Sequence, residues 1–388
     1  MKYAFKKINI ESPFPTTQCG HSSQTELIYE YKDHLYGRVV SFKDETHWIY
    51  HVSLDLLCFT LQARNELQNK IREHFKDENI IVITSATHTH YANSARNPEY
   101  VSYCIETLYK GMIAMEYKEK KEITSSFQRI HTTVTGKSRI SGYETGNEFL
   151  CLLRFYEEED NFLTILINNC HPTTLQANVP YFSAEYPGYV LRRMEETYPD
   201  ENFSFIMGPA GDISSRFVRK GQDYEAMCEL GEELYKAAKD LKEKEAVRKP
   251  LKLDYKEVDL HYDHEFAPID LSDLRNDLSE REMETIKIGQ EMRENLKTKG
   301  SLIFGQLPDT VRVASLDFGS IKLIFYPNEI FSDYMNLFDL DKTYLVSYSN
   351  GYGPYILPIG FEHITYEMFI DTLSVDTKKR MIETLISL

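Results

Sequence analysis

The stretch that constrains this chain most is residues 80–90, Ile-Ile-Val-Ile-Thr-Ser-Ala-Thr-His-Thr-His. An unbroken run of β-branched apolar residues reads as a strand buried on both faces, and the small polar residues after it mark where the chain leaves the sheet. His88 and His90 are then expected just beyond the carboxyl end of a central strand, where open α/β sheets carry their chemistry. Residues two apart in an extended segment project to one side. One imidazole can bind a metal while the other faces a substrate. Taken alone, the pair reads most simply as two capping or solvated groups; what argues otherwise is how many later strands end in the same way.

In chain order, residues 1–25 carry Pro13, Pro15 and Gly20 and are expected to be irregular. Residues 35–42 and 48–54 read as paired strands, and 56–75 as a helix leading into the 80–90 strand. Such a strand, helix, strand unit implies parallel neighbours joined by a right-handed crossover. A helix over 99–117 and a strand over 124–134 follow, then a loop over 136–143. Residues 149–156 and 162–168 form a hairpin whose second strand runs into Asn169-Cys-His-Pro, with Pro172 fixing the turn after His171. A helix starts near Glu185. The strand 203–207 breaks into Gly208-Pro-Ala-Gly-Asp-Ile-Ser-Ser215, whose glycines allow close backbone approach and whose Asp212, Ser214 and Ser215 supply polar atoms. Residues 223–247 and 271–297 read as amphipathic outer helices. A hairpin over 311–316 and 321–326 ends in Pro327-Asn-Glu329, and a strand over 343–348 ends in Ser349-Asn-Gly-Tyr-Gly-Pro-Tyr355.

The fold class this predicts is α/β: a mixed, largely parallel central sheet flanked by helices, in a single catalytic domain over 1–388 with a helical outer layer around 222–300. A chain of 388 residues with 42% hydrophobic content supplies the core. Its formal charge of −16 disfavours nucleic acid and anionic membrane surfaces as partners. No window is long and apolar enough to span a membrane, and no secretion signal is evident. Six cysteines without CxxC spacing, several in apolar runs, read as reduced buried thiols. A cytoplasmic location is the expectation. The 27 tyrosines and 21 phenylalanines suffice for core packing and also for an apolar ligand pocket.

Five apolar strands thus end in histidine, histidine, a Gly-Asp-Ser loop, glutamate and tyrosine. Two neutral imidazoles and one carboxylate suit catalytic zinc (Zn2+) with a position left open for water. A bound dication lowers the pKa of water from about 15.7 toward roughly 7.

These motifs resemble, in consistent order over roughly 35–370, those of the neutral/alkaline (non-lysosomal) ceramidases, zinc-dependent amidases that split N-acylsphingosine. Thr-His-Thr-His over 87–90 resembles the family's first metal motif, which implies His88 as a zinc ligand and His90 as a catalytic group. Ser138-Arg139-Ile140-Ser141 sits where the family carries Asn-Arg-Ser-Pro, implying that Arg139 lines the site. His171-Pro-Thr is similar to the second zinc histidine, and Ser183-Ala-Glu-Tyr-Pro-Gly-Tyr189 to the Ser-x-Asp-x-x-Gly-Tyr turn that follows it. Gly211-Asp-Ile-Ser214 resembles Gly-Asp-Val-Ser, implying Ser214 as the active-site serine. Glu329 after Pro-Asn matches the zinc glutamate, and Asn350-Gly-Tyr-Gly-Pro-Tyr355 resembles Asn-x-Tyr-x-x-Tyr, whose second tyrosine, Tyr355, is the implied ligand, with Tyr352 the competing choice. Tyr366-Glu367 looks like the later Tyr-Glu pair whose tyrosine faces the reaction centre. The sequence departs from the pattern at Tyr91-Ala-Asn, where Ser-Gly-Pro is usual, and around Arg139. The motifs extend to about residue 370, so the resemblance is expected to cover the family's catalytic domain and not its C-terminal β-sandwich domain.

The leading expectation is therefore zinc-dependent hydrolysis of a lipid or small-molecule N-acyl amide, with zinc held by His88, His171, Glu329 and Tyr355. His90 would act as general acid/base, and Arg139 and Tyr366 would stabilise the oxyanion. Ser214 as nucleophile and attack by water both stay open. The alternatives are an esterase or deacetylase for a small soluble substrate, and a zinc protein without catalysis. His21, His51, His131, His261 and His363 read as ordinary histidines. Asp55 either approaches the site or ends a strand.

Overall fold

The chain begins as a strand, Lys2–Asn9, rather than as the irregular segment expected. Tyr3 packs into one core cluster and Ala4 and Ile8, on the opposite face, into another, while Lys2, Lys6 and Lys7 interrupt both faces, so the sequence shows no period of two. The computed structural model describes residues 1–388 apart from 22–23, 273, 275–277 and 303–304, and leaves the side chains of 301–305 undescribed.

In place of one largely parallel central sheet, the described residues form three larger sheets, each mostly antiparallel, beside four two-stranded ones. The first runs in the order Ile80–Ala86, Trp48–Leu54, Tyr36–Lys43, Lys2–Asn9 and Lys118–Glu119. The second is ordered Asn202–Met207, Asp160–Asn168, Phe149–Glu157, Ile123–His131 and Arg248–Pro250. The third is ordered Asp254–His261, Thr310–Asp317, Lys322–Phe325 and Thr343–Val346. Parallel pairing survives in one pair per sheet: Trp48–Leu54 with Ile80–Ala86, Asp160–Asn168 with Asn202–Met207, and Lys322–Phe325 with Thr343–Val346. In each pair one strand is the edge of its sheet. The Ile80–Ala86 strand is therefore an edge strand, not a central one, although its residues are buried as the apolar run demands.

Buried edges need partners for their backbone groups, and here the edges are stitched to one another at their carboxyl ends. Ala86 N donates to Tyr348 O at 2.9 Å and Asn350 N to Thr84 O at 2.8 Å. Ser347 N donates to Met207 O at 2.9 Å. The strand ends of the three sheets thus lead into one region. That is where the expected site residues lie.

The helices follow the apolar spacing, with boundaries set by caps. Leu61–Phe75 starts five residues later than expected because the Thr60 side chain accepts from Ala63 N. Pro98–Ile113 is capped by Asn97 and packs on Leu61–Phe75. Glu185–Thr197 packs on Tyr224–Lys242. In Glu280–Lys299 a capping box between Ser279 and Glu282 fixes the start, and Gly300 in the left-handed region ends it. The expected helix over 271–297 therefore begins nine residues late; residues 271, 272 and 274 are non-helical, and 273 and 275–277 lie outside the described residues. No helix among the described residues is long and apolar enough to cross a membrane.

Candidate metal centre

His88 follows the Ile80–Ala86 strand through Thr87, whose N–H donates to Leu54 O at 2.8 Å. Its φ of 62° lies in the left-handed region, which costs a non-glycine residue of order 1–3 kcal/mol and persists only where surrounding structure imposes it. One such constraint is the bond from His88 Nδ1 to Leu57 O at 2.8 Å. Nδ1–H is thereby the donor, and the Nε2 lone pair faces inward with no partner. His171 is set up in the same way from another sheet: Nδ1 bonds Ala210 O, and Nε2 turns to Glu329.

Glu329 sits between the two imidazoles. Its Oε2 is 3.0 Å from His171 Nε2 and 3.5 Å from His88 Nε2. Ligand atoms at the corners of a zinc tetrahedron, each roughly 2.0–2.1 Å from the ion, are about 3.3 Å apart. The observed edges fit that figure. Burial opposes ionisation of Glu329, but His88 and His171 outweigh it and hold the carboxyl well below the usual range. Burial, then the Arg139 charge, lowers His171 to about 4, so it is neutral and able to coordinate. The ligand nitrogens of His88, His90 and His171 lie within 4.8 Å of one another. This buried imidazole group suits a metal ion.

His90 differs from the other two because neither of its ring nitrogens has a protein partner. Burial, followed by His21, His88 and His171, lowers its pKa well below the usual value. Gly20 presses on this ring: a Cβ there would stand 2.5 Å from Nδ1. His21 lies 4.8 Å from His90, centroid to centroid, and lines the same cavity. His21 and His363 are therefore cavity-lining residues rather than ordinary histidines. His51, by contrast, bonds Ser85, and His131 pairs with Glu148. Asp55 is taken up by Arg38 at 3.1 Å and by Tyr36 N.

The remaining expected residues come to the same region by separate routes. Ser214 pairs in a β-bridge with His171 and lines the cavity. Asp212 spends its carboxylate on the Ser332 N–H and hydroxyl, at 2.6 and 2.8 Å, tying the Gly-Asp-Ile-Ser loop to the segment after Glu329. The approach is close enough that a Cβ on Gly211 would stand 2.7 Å from Glu329 O. Arg139 binds Glu367 at 2.7 Å and Gly211 O at 2.7 Å. Burial works against its charge, but Glu367 and Tyr355 beside it prevail and keep it protonated.

Tyr355 stands opposite Glu329 in the parallel pairing of Asn328–Ile330 with Gly353–Ile356, with its ring 6.4 Å from that of His171. Tyr352 donates its hydroxyl to Glu329 Oε1. Both tyrosines therefore flank the carboxylate from the same loop. Tyr366 lines the cavity 6.0 Å from Tyr355, ring to ring, but its hydroxyl is aimed at Met292 Sδ, 3.0 Å away. Sequence reasoning missed Tyr348, whose ring stacks on His88 at 3.9 Å, and Glu367 as the partner of Arg139. Nothing in the local sequence marks Tyr348, and the Tyr366-Glu367 motif does not name Arg139 as the partner of Glu367.

A cavity of about 690 Å³ opens from His90, His171, Arg139, Ser214, Tyr355 and Tyr366. Apolar side chains including Leu175, Ile286, Ile288 and Met292 continue its lining. A smaller pocket of about 40 Å³ between His88, His90, Glu329 and Tyr352 lies at the imidazole group.

No protein-family model matches the sequence, and no curated protein does. Among solved structures, the crystal structure of neutral ceramidase from Pseudomonas aeruginosa is similar at a TM-score of 0.75, with 12% identity, over 99% of this chain and 73% of that one. A ceramidase complexed with C2 matches at the same TM-score and identity, over 99% and 74%. At this identity the likeness establishes a neutral ceramidase-like fold.

Proposed function

We propose that the chain is a zinc-dependent hydrolase that cleaves the amide bond of an N-acyl amine. The observation that carries this reading is the clustering of three potential ligand atoms, Glu329 Oε2 standing 3.0 Å from His171 Nε2 and 3.5 Å from His88 Nε2, which has no hydrogen-bond partner, beside a 690 Å³ cavity. The residues that would hold the ion are His88, His171 and Glu329, with Tyr355 as the fourth. When bound, zinc supplies Lewis acidity, polarising a carbonyl and making hydroxide available near neutral pH.

The chain's own residues divide the rest of the work. His90, with both ring nitrogens unspent, would take a proton from the water that attacks the carbonyl carbon and return it to the leaving nitrogen as the C–N bond breaks, giving the carboxylic acid and the amine. Arg139, kept charged by Glu367, donates to the oxyanion that develops on the carbonyl oxygen, a role worth about 3 kcal/mol for a well-aimed donor. Tyr366 completes that role once its hydroxyl swings from Met292. Ser214 orients the carbonyl from the loop beside His171. The apolar lining accepts the acyl chain, and a cavity of this size favours an acyl-lipid amide over a small polar one.

Ceramide, the substrate that the names of the structural neighbours imply, is the first compound to try. The test incubates zinc-loaded protein with N-acyl amides of graded chain length, matched esters and an acetyl amide, and measures free amine or alcohol. Release that rises with chain length and favours amides supports the reading. Cleavage confined to esters or to the acetyl amide would replace it.

A further inference from the structure

The cavity beside His90 and Ser214 carries charges that amide chemistry does not use. Over the whole chain acids outnumber bases, 60 to 44. Yet Arg216, Arg219 and Arg281 all line this cavity. Arg139 and Glu367, which line it too, answer each other. Among the described residues no carboxylate forms an ion pair with any of the other three.

The contacts of Arg216 and Arg219 hold them without neutralising them. The Arg219 guanidinium donates to the Thr173 and Thr174 carbonyls, and that of Arg216 rests 5.2 Å from the Phe217 ring centroid. Burial and then the Arg281 charge make both Arg216 and Arg219 easier to deprotonate than usual. Glu282 is the acid that most favours the Arg216 charge, and its oxygens also take donors from Ser279 and Ser141. Glu362 and Arg281 are both solvent-exposed. Three arginines against these two glutamates leave the cavity positive in an acidic protein. Gathered guanidinium groups repel one another, and their planar fork matches carboxylate and phosphate oxygens.

We propose that the polar half of the substrate bears an anion, a carboxylate or a phosphate, which Arg216, Arg219 and Arg281 receive. Arg216 is two residues from Ser214, and its backbone N–H donates to Ser214 Oγ at 3.4 Å. The receiving charges therefore begin on the same turn as Ser214. The anion then lies a short distance from the scissile bond, as it does in an N-acyl amino acid. The proposal rests on the amide-hydrolase reading for the word substrate, and on the arginines alone for the anion.

Calorimetry on the zinc-loaded protein separates the two. The probes are non-cleavable ether analogues that share one alkyl chain and end in a hydroxyl, a carboxylate or a phosphate. An anionic analogue should bind at least about tenfold more tightly than the hydroxyl one, and which of the two anions binds better identifies the source. The gap should collapse in the Arg216→Gln/Arg281→Gln double variant and persist in Arg281→Lys. Raising salt on the unaltered protein should narrow it as well, a readout that needs no variant to fold. Equal affinity for all three analogues, or a gap that survives the double variant, would overturn the proposal. A gap without any amide cleavage would sink the amide reading and leave the anion site standing; amide cleavage without a gap would do the reverse.

Discussion

The pairing of Arg139 with Glu367 can be tested by removing one charge and keeping the shape. Their 2.7 Å contact joins side chains that are 18% and 7% exposed. In Glu367→Gln a hydrogen-bond acceptor remains, but the guanidinium loses its only ion-paired carboxylate among the described residues. Breaking a buried pair from one side costs about 3–5 kcal/mol. The partial exposure of Arg139 and its second acceptor on Gly211 reduce that to about 2–3 kcal/mol. Unfolding entropy scales with length, so for 388 residues it amounts to about 0.8 kcal/mol/K, and Tm should fall by about 3 °C. Arg139→Gln alone should be destabilising for the mirror reason, a carboxylate left buried. The double variant Arg139→Gln/Glu367→Gln should then recover at least about 1.5 kcal/mol of the summed losses in urea titrations. Additivity within about 0.5 kcal/mol would mean that the two charges do not depend on each other. The account of how Arg139 is held at the site would fall with it.

Two further substitutions test the loop between the sheets. Burial, with Asp333 adding to it, raises the Asp212 carboxyl from 3.8 to about 7. The native state therefore binds this proton more tightly than the unfolded chain does, and stability is lost as pH rises from about 4 through 7, by about 4 kcal/mol in full. Asp212→Asn should flatten that decline in urea midpoints measured from pH 5 to 8; an unchanged slope would assign it to other groups. Gly211→Ala would put a Cβ 2.7 Å from Glu329 O, backbone that cannot turn aside, at a cost of about 1–3 kcal/mol. Because the atom displaced belongs to Glu329, zinc affinity should fall about tenfold or more in competition with a chelator. Wild-type affinity together with wild-type stability would show that the close approach is not needed.

What was legible in the sequence was local. The run Ile80–Ala86 announces a buried strand by β-branching alone, and the hairpin of Phe149–Glu157 with Asp160–Asn168 is marked by its Glu-Glu-Asp turn. The order of strands was not legible, because residues that end a strand do not specify which edge will be stitched to which. One central parallel sheet and three antiparallel sheets with one parallel pair each present the same strand ends. Lys2–Asn9 was hidden because its lysines interrupt both of its apolar faces. His21 was passed over for a different reason: only the folded chain brings it within 4.8 Å of His90 across 69 positions. Tyr352 and Tyr355 could not be separated by spacing. In the fold both flank Glu329, one through its hydroxyl and the other across a strand pair.

The central claim is that His88, His171 and Glu329 hold one ion while His90 does not. Elemental analysis of metal-stripped protein reloaded with zinc and passed through a chelating column tests it directly. The account predicts about one zinc per chain in the unaltered protein and in His90→Ala, with turnover abolished in the latter, and a loss of zinc in His88→Ala and in His171→Ala. Full zinc in His88→Ala, or none in the unaltered protein, would contradict it.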